Sequence, residues 1–328
     1  MKQYYTIIDI AETEKWERAL INIPHSFAHT ADHCRALQLS TGYRTFLYLF
    51  EKDDVKICCP LVEREFRGIK DIAKPFGVSG FVGNGKHPDF YNTWLEFVNS
   101  RGYLTCYSEI HPLFGQRSWF PDENVFSQGI IQTLDISPDT DTILAKMSKK
   151  RRQQFRNWEI TLKSLTVNRG DIQSFFIAHY DDFLDRKEAD SYYYFSEEAI
   201  KAFFQAENSV VVGAVEDGKL IAASYFGYTE YLSDALFTLS LPGKNRYSAE
   251  LIWYAVLELK RQGVPLLNMG GGGGGIADFK RRFGAYKTDR FSLKEIYDSS
   301  EYRRVTCQNG DCLINNEGFF PAYRKKLV

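Results

Sequence analysis

The chain has 328 residues, of which 44% are hydrophobic and 25% charged; that suffices for two cores of ordinary domain size and excludes a disordered chain. Forty-one Lys and Arg against forty-two Asp and Glu leave a formal charge of -1, so no global attraction to DNA or to an anionic membrane exists and a polyanion has to be met by a local patch. The N-terminus lacks a signal-peptide apolar region and no stretch reaches the roughly 20 apolar residues that span a bilayer. The six cysteines include the vicinal Cys58 and Cys59, which would point to opposite faces of a strand and read as reduced thiols, so a cytoplasmic location is expected.

In chain order, YYTIIDI predicts a strand, and Trp16, Ala19, Leu20 and Ile23 recur at helical spacing. A second helix is predicted over Thr30 to Leu39. YRTFLYLF and VKICCPLV form a hairpin about the polar Glu51-Lys52-Asp53-Asp54. The irregular stretch KPFGVSGFVGNG precedes Asp89, an N-cap for the helix FYNTWLEFVNS, which Gly102 stops before the strand YLTCYSEI. In the second half ITLKSLTV predicts a strand, and helices are expected over Asp171 to Leu184 and Ser196 to Gln205. SVVVGAVE and LIAASYFGY pair across Asp217-Gly218, a strong hairpin turn. YLSDALFTLSL breaks at Pro242-Gly243, and an amphipathic helix from Ser248 to Arg261 stops at Gly263 before the strand VPLLNM.

Both halves thus follow the order strand, helix, helix, hairpin, third strand, helix, strand, a duplication of architecture without duplication of sequence. GNAT acyltransferases use this order, their sheet splaying between the fourth and fifth strands to admit the donor, although physics alone allows other α/β or α+β sheets. By that analogy the expected fold is a mixed α/β sheet in two tandem GNAT-like domains. These would cover residues 1–145 and 146–300, with a tail, 301–328, packing back on the first.

LLNMGGGGGGIADFKRRFGA resembles the signature of the Fem-type transferases and of the FemAB-like acetyltransferases of polysaccharide gene clusters, in which a strand and a glycine-rich loop lead into "FK..FG". CPLVEREFRGIKDIAKPFGVSGFVG is similar to that group's "P...R......D...PYGYSG" stretch, with Phe76 where Tyr is common, and FFPAYRKKL resembles the ending of the polysaccharide-cluster members. The resemblance implies N-acyl transfer from acyl-CoA such as acetyl-CoA, without a metal, to an amine on a sugar-nucleotide or lipid-linked sugar precursor of a surface polysaccharide. Two alternatives stay open: a Fem-like transferase using aminoacyl-tRNA on a peptidoglycan precursor, and a non-catalytic carbohydrate-binding protein derived from the GNAT fold.

Six consecutive glycines let a backbone approach a ligand closely and offer N–H groups to phosphate or an oxyanion, at an entropic cost that turn geometry alone does not require. The run is not a P-loop, because Lys280 follows Phe279 and precedes Arg281. The resemblance assigns Lys280 a catalytic role and Phe279, Gly270, Gly271 and Gly272 to donor binding. Lys244, Asn245 and Arg246, before the Ser248 helix, are further donor candidates at a helix N-terminus, with an ordinary turn as the alternative. Arg186 resembles the family's acceptor-binding arginine, and Tyr193 and Tyr194 could line a sugar site or simply pack. Asp234 and Asp278 are candidate general bases. The basic cluster Lys149, Lys150, Arg151, Arg152 and Arg156 suits a tRNA acceptor stem or is a solvated face. His25, His29 and His33 share a four-residue spacing, but Pro24 starts the helix after His25, which argues against a metal.

Overall fold

The computed structural model describes residues 3–308 and 318–325. The first half comprises β1 (Tyr5–Asp9), α1 (Thr13–Leu20), α2 (Ala31–Thr41), β2 (Thr45–Lys52), β3 (Val55–Phe66), β4 (Ile69–Ala73), the short β5 (Val82–Gly83), α3 (Phe90–Arg101), β6 (Thr105–Ile110) and β7 (Val125–Asp135). The second opens with α4 (Thr140–Lys146), α5 (Lys149–Gln154), α6 (Trp158–Leu162), β8 (Leu165–Thr166), α7 (Arg169–Asp185) and α8 (Glu197–Gln205). It continues through β9 (Ser209–Glu216), β10 (Lys219–Tyr228), β11 (Ser233–Ser240), α9 (Ser248–Arg261), β12 (Leu266–Asn268), α10 (Gly274–Arg281), β13 (Tyr286–Ile296) and α11 (Ser299–Gln308). No helix among the described residues is long and apolar enough to cross a membrane.

Local chemistry sets many of these boundaries. The Thr30 hydroxyl accepts from the His33 N–H and caps α2, and Gly42, left-handed at φ 68°, ends it. Asn168 and Ser196 cap α7 and α8 in the same way. The β2–β3 hairpin turns on Asp53 and Asp54, both at positive φ, the pairing that follows the strands' twist. A second such turn at Arg67-Gly68 starts β4. The strand predicted over ITLKSLTV is a correction: α6 takes its first residues, and only Leu165–Thr166 pair with β9. Two of its apolar residues, Ile160 and Val167, stay 67% and 53% exposed, while Leu165 packs against the second-half core.

The strands form one sheet in the order β1-β2-β3-β4-β6-β13-β7-β12-β11-β10-β9-β8. Among the described residues two neighbouring strand pairs run parallel, β4 with β6 and β11 with β12. Beyond each of these the two halves exchange a strand. β13, from the second half, lies between β6 and β7, while β7, from the first, lies between β13 and β12.

Each face of the sheet buries its own core. Cys58 and Cys59 illustrate the alternation: Cys58 packs with Trp16 and Cys34 under α1 and α2, whereas Cys59 joins Trp94 and Phe97 under α3. In the second half α9 covers one face and α7 with α8 the other. Phe27, Ala36 and Leu37 of the first half enter that latter core. The Phe27 ring lies directly on Gly227, where an added Cβ would meet it at 2.2 Å. Near the C-terminus Tyr323 and Arg324 bond the buried Asp71 carboxylate at 2.8 and 2.6 Å, tying residues 320–324 to β4. Residues 309–317 and 326–328 of the expected tail, Cys312 among them, lie outside the described residues.

Candidate functional site

The parallel pair β11–β12 holds only at Ser233–Leu267 and Asp234–Asn268, and the glycine run leaves the sheet from this point. Asn268 bridges the two strands and the loop: its amide donates to Asp234 Oδ1 and its oxygen accepts from the Gly270 N–H, each at 2.8 Å. The Gly270 carbonyl accepts from Gln132 N at 3.1 Å, and the Gln132 side chain donates to the Ala277 carbonyl at 3.1 Å, so β7 holds both ends of the loop. The Lys280 ammonium reaches back from α10 and donates to the Gly271 carbonyl. Burial lowers the Lys280 pKa to about 8, so at neutral pH it remains mainly a cation.

The glycines differ in what they require. Gly270, Gly272 and Gly274 have φ of 73°, 117° and 51°, where a side chain is strained. A Cβ on Gly271 would approach the Ile130 carbonyl at 3.1 Å and one on Gly272 the Ile276 side chain at 2.7 Å; Gly273 and Gly275 face open space.

Asp234 is 3% exposed, and burial raises its pKa to about 6. One oxygen accepts from Asn268; the other is buried and makes no well-formed hydrogen bond, but it faces the Ser26 hydroxyl and the Phe27 and Ala28 N–H groups, which oppose the rise. Asp278, by contrast, forms ion pairs with Arg281 and Arg282 on the outside of α10, which keep its pKa low. Phe279 half-buries its ring beneath Arg151, whose guanidinium lies 4.9 Å from that ring and 4.5 Å from Phe283. One member of the basic cluster is thus 7% exposed and supports α10, while Lys149, Lys150 and Arg152 are exposed.

The structure brings some expected residues together and separates others. Lys244 and Arg246 both pair with Glu216 at the β9–β10 hairpin. The side chain of Asn245 lies outside the described residues. Arg186 donates to the Ser240 carbonyl at 3.3 Å. Ser240 is six residues along β11 from Asp234, roughly 20 Å for an extended strand, so Arg186 and the Lys244 turn lie toward the end of β11 remote from the glycine run. Tyr194 bonds Asp185, whereas Tyr193 meets Phe76 of the first half edge-on at 5.6 Å between centroids. Tyr192 stacks beside it, 5.8 Å from Phe76. His29 and His33 use Nε2 on the Gly80 and Phe76 carbonyls at 2.7 and 2.8 Å, anchoring the PFGVSG stretch.

A polar cluster that sequence reasoning missed lies next to that stretch. Glu109 of β6 is fully buried and accepts from Arg290 of β13 at 2.7 Å, while Lys74 Nζ stands 3.5 Å from its other oxygen. Gly80 is the trace of this arrangement in the sequence: a Cβ there would lie 2.4 Å from Glu109 Cγ and 2.2 Å from its carbonyl oxygen. Among the described residues no group of three or more His, Cys, Asp and Glu is placed to hold a metal ion.

At the level of sequence no protein-family model matches the chain, and comparison with curated proteins finds no match. Similarity is found in structure. FemX superposes with a TM-score of 0.65 at 11% identity, over 85% of this chain and 95% of FemX. A conserved protein of unknown function from Bacteroides thetaiotaomicron gives 0.60 at 10% identity, over 89% of this chain and 99% of its own. The DUF2156 domain of a protein described as a lysylphosphatidylglycerol synthetase, from Agrobacterium fabrum, gives 0.57 at 14%, over 89% and 94%. The fold is a two-domain, GNAT-like one.

Proposed function

We propose that the chain is an N-acyltransferase that moves an acyl group from acyl-CoA to an amine on a sugar or sugar-nucleotide precursor of a cell-surface polysaccharide. The observation that carries this reading is the Lys280 ammonium, held against the Gly270–Gly271 loop where β11 and β12 part. In the reaction the acceptor nitrogen attacks the thioester carbon, the carbonyl oxygen becomes an oxyanion, and the Lys280 N–H donates to it. The nitrogen loses its proton to solvent or a nearby base, the C–S bond breaks, and the thiolate leaves and is protonated. Asp234 acts through Asn268, fixing the Gly270 N–H and with it the loop on which Lys280 rests; we assign it as a positioning residue. Because the β11–β12 pairing covers only two residue pairs, a long-armed thioester would run from there along β11 to the turn at Lys244 and Arg246. The fold it shares with FemX is consistent with this assignment.

A second reading replaces the donor by aminoacyl-tRNA and the acceptor by a peptidoglycan precursor. It draws on the basic residues of α5, which the bond from Ser148 N to the Arg282 carbonyl sets against α10. Purified chain supplied with labelled acetyl-CoA or charged tRNA and a panel of amino sugars separates the two. Acetyl transfer that is nearly indifferent to salt supports the first, and tRNA-dependent transfer that falls steeply with salt supports the second. Lys280→Ala should lower kcat by about 10²- to 10³-fold, as for loss of an oxyanion donor. Transfer from neither donor, or an undiminished rate in that variant, defeats the assignment.

A further inference from the structure

The Lys74–Glu109–Arg290 cluster contains an electrostatic imbalance. Two basic side chains, only 11% and 21% exposed, share one fully buried carboxylate, so basic groups outnumber acidic ones in a poorly solvated place, and burial lowers the Lys74 pKa. His111, two residues beyond Glu109, is buried with its ring 5.5 Å from that of His29, and it feels His29 and His25 first and Arg290 and Lys74 after them. Its Nδ1 accepts from the Leu113 and Phe114 N–H groups at 3.3 and 3.2 Å, which puts the ring proton on Nε2. That Nε2–H and the Arg290 Nε–H are both buried with no hydrogen-bond partner. Glu109 Oε1 is likewise without a hydrogen bond, although Lys74 stands beside it, so two orphan donors and two basic groups face a single carboxylate and leave a place for a hydrogen-bond-accepting anion.

The surroundings indicate what carries that anion. Phe76 and Tyr192 stand 5.8 Å apart, Tyr192 is 56% exposed, and its phenol lies within electrostatic reach of Arg290. Phe76 shares a loop with Lys74, whose ammonium also bonds the Gly77 carbonyl. Arg290 pairs with Gly129 on β7, and a side chain on Gly129 would meet nothing within 4 Å, so space is open there. One residue further along β7 the Ile130 carbonyl packs against Gly271, the carbonyl partner of Lys280. The backbone partner of Arg290 and the backbone partner of the glycine run are therefore adjacent residues of β7.

We propose that Lys74, Arg290 and His111, held in place by Glu109, form an anion subsite that reads a carboxylate or phosphate on the acceptor, whose ring rests on Phe76 and Tyr192. The acceptor class is then an acidic sugar rather than a neutral one. This deepens the acyl-transfer reading and rests on it only for the word acceptor; the subsite itself is tested without a donor.

Calorimetric titration of the full chain with glucuronate, glucosamine 6-phosphate, inorganic phosphate and neutral glucosamine provides that test. An acidic sugar should bind at least about tenfold tighter than glucosamine, with the stronger of glucuronate and the 6-phosphate identifying the anion. Arg290→Gln should abolish the preference and Arg290→Lys retain part of it. Because removing one partner of a buried pair can unfold a protein, the double variant E109Q/R290Q, which removes the pair together, is measured with its melting curve. Equal binding of neutral and acidic sugars, no binding of any acidic probe, or an unchanged preference in a folded Arg290→Gln or double variant overturns the subsite. Acidic-sugar binding without acyl transfer from any donor would instead remove the transferase reading and leave the subsite standing.

Discussion

At the scale of single residues, Asp234 offers the sharpest test. Its pKa is raised from 3.8 to about 6 by burial, which outweighs the opposing interactions with Asn268, the Ser26 hydroxyl and the Ala28 and Phe27 N–H groups. A carboxyl that prefers its proton in the folded state contributes stability that is full below 3.8 and is lost as pH rises through 6. Over two pKa units the loss at neutral pH is about 3 kcal/mol as an upper bound. Asp234→Asn keeps an oxygen for the Asn268 amide and removes the charge, so the variant should melt higher than the parent at pH 7.5 and at nearly the same temperature at pH 4. Its kcat should fall nonetheless, because the second amide disturbs the register of Asn268 with Gly270. Thermal melts at the two pH values, paired with initial rates, check both halves. A variant less stable than the parent at pH 7.5 would mean that the Ser26 hydroxyl and the Phe27 and Ala28 N–H groups hold the ionised carboxylate well enough to outweigh its burial.

At the scale of elements, the glycine run divides into positions that geometry demands and positions it does not. Gly272→Ala forces a side chain to φ 117° and against Ile276, and should destabilise the chain by about 1–3 kcal/mol while lowering kcat. Gly275 lies in the first turn of α10 with open space around it, so Gly275→Ala should stabilise by up to about 1 kcal/mol and leave the rate near that of the parent. Urea melts and kinetics on the two variants distinguish them; equal effects would mean that α10 is not formed as described. This element was legible in the sequence because everything it uses is contiguous, from Asn268 through the glycines to Lys280. The hairpins were legible too, since turn residues such as Asp217-Gly218 act locally. Neither β7 nor β13 was foreseen. Their alternation is blurred where β7 crosses the junction, with Ser127, Gln128 and Gly129 exposed in succession, and their partners are remote in sequence. The Glu109–Arg290 pair spans 181 residues, a relation that no local pattern encodes.

At the scale of the whole molecule, the strand exchange couples the halves more tightly than tandem domains joined by a linker. The sequence boundary after residue 145 divides the chain, while β13 lies between two strands of the first segment and β7 between two strands of the second. A fragment of residues 1–145 would lack β13 and leave the inner edge of β6 without its ladder. One of residues 146–328 would lack β7 and expose edges of both β12 and β13, β12 being only three residues long. Phe27, Ala36 and Leu37 would leave the α7–α8 core, and Gly227 would lose the ring that covers it. Each fragment alone should therefore show no sharp melting transition and should aggregate. Co-expressed, the two should associate through the β7 exchange and recover a cooperative melt, as the intact chain should show in one transition. Two separately folded fragments, or two resolved transitions in the intact chain, would show that the halves are independent. The glycine loop would then have to be held without Gln132, although that β7 residue bonds both ends of it. Because β7 comes from the first half and Lys280 from the second, formation of the Lys280 site should depend on closure of the whole sheet, and activity should return only when the fragments are combined.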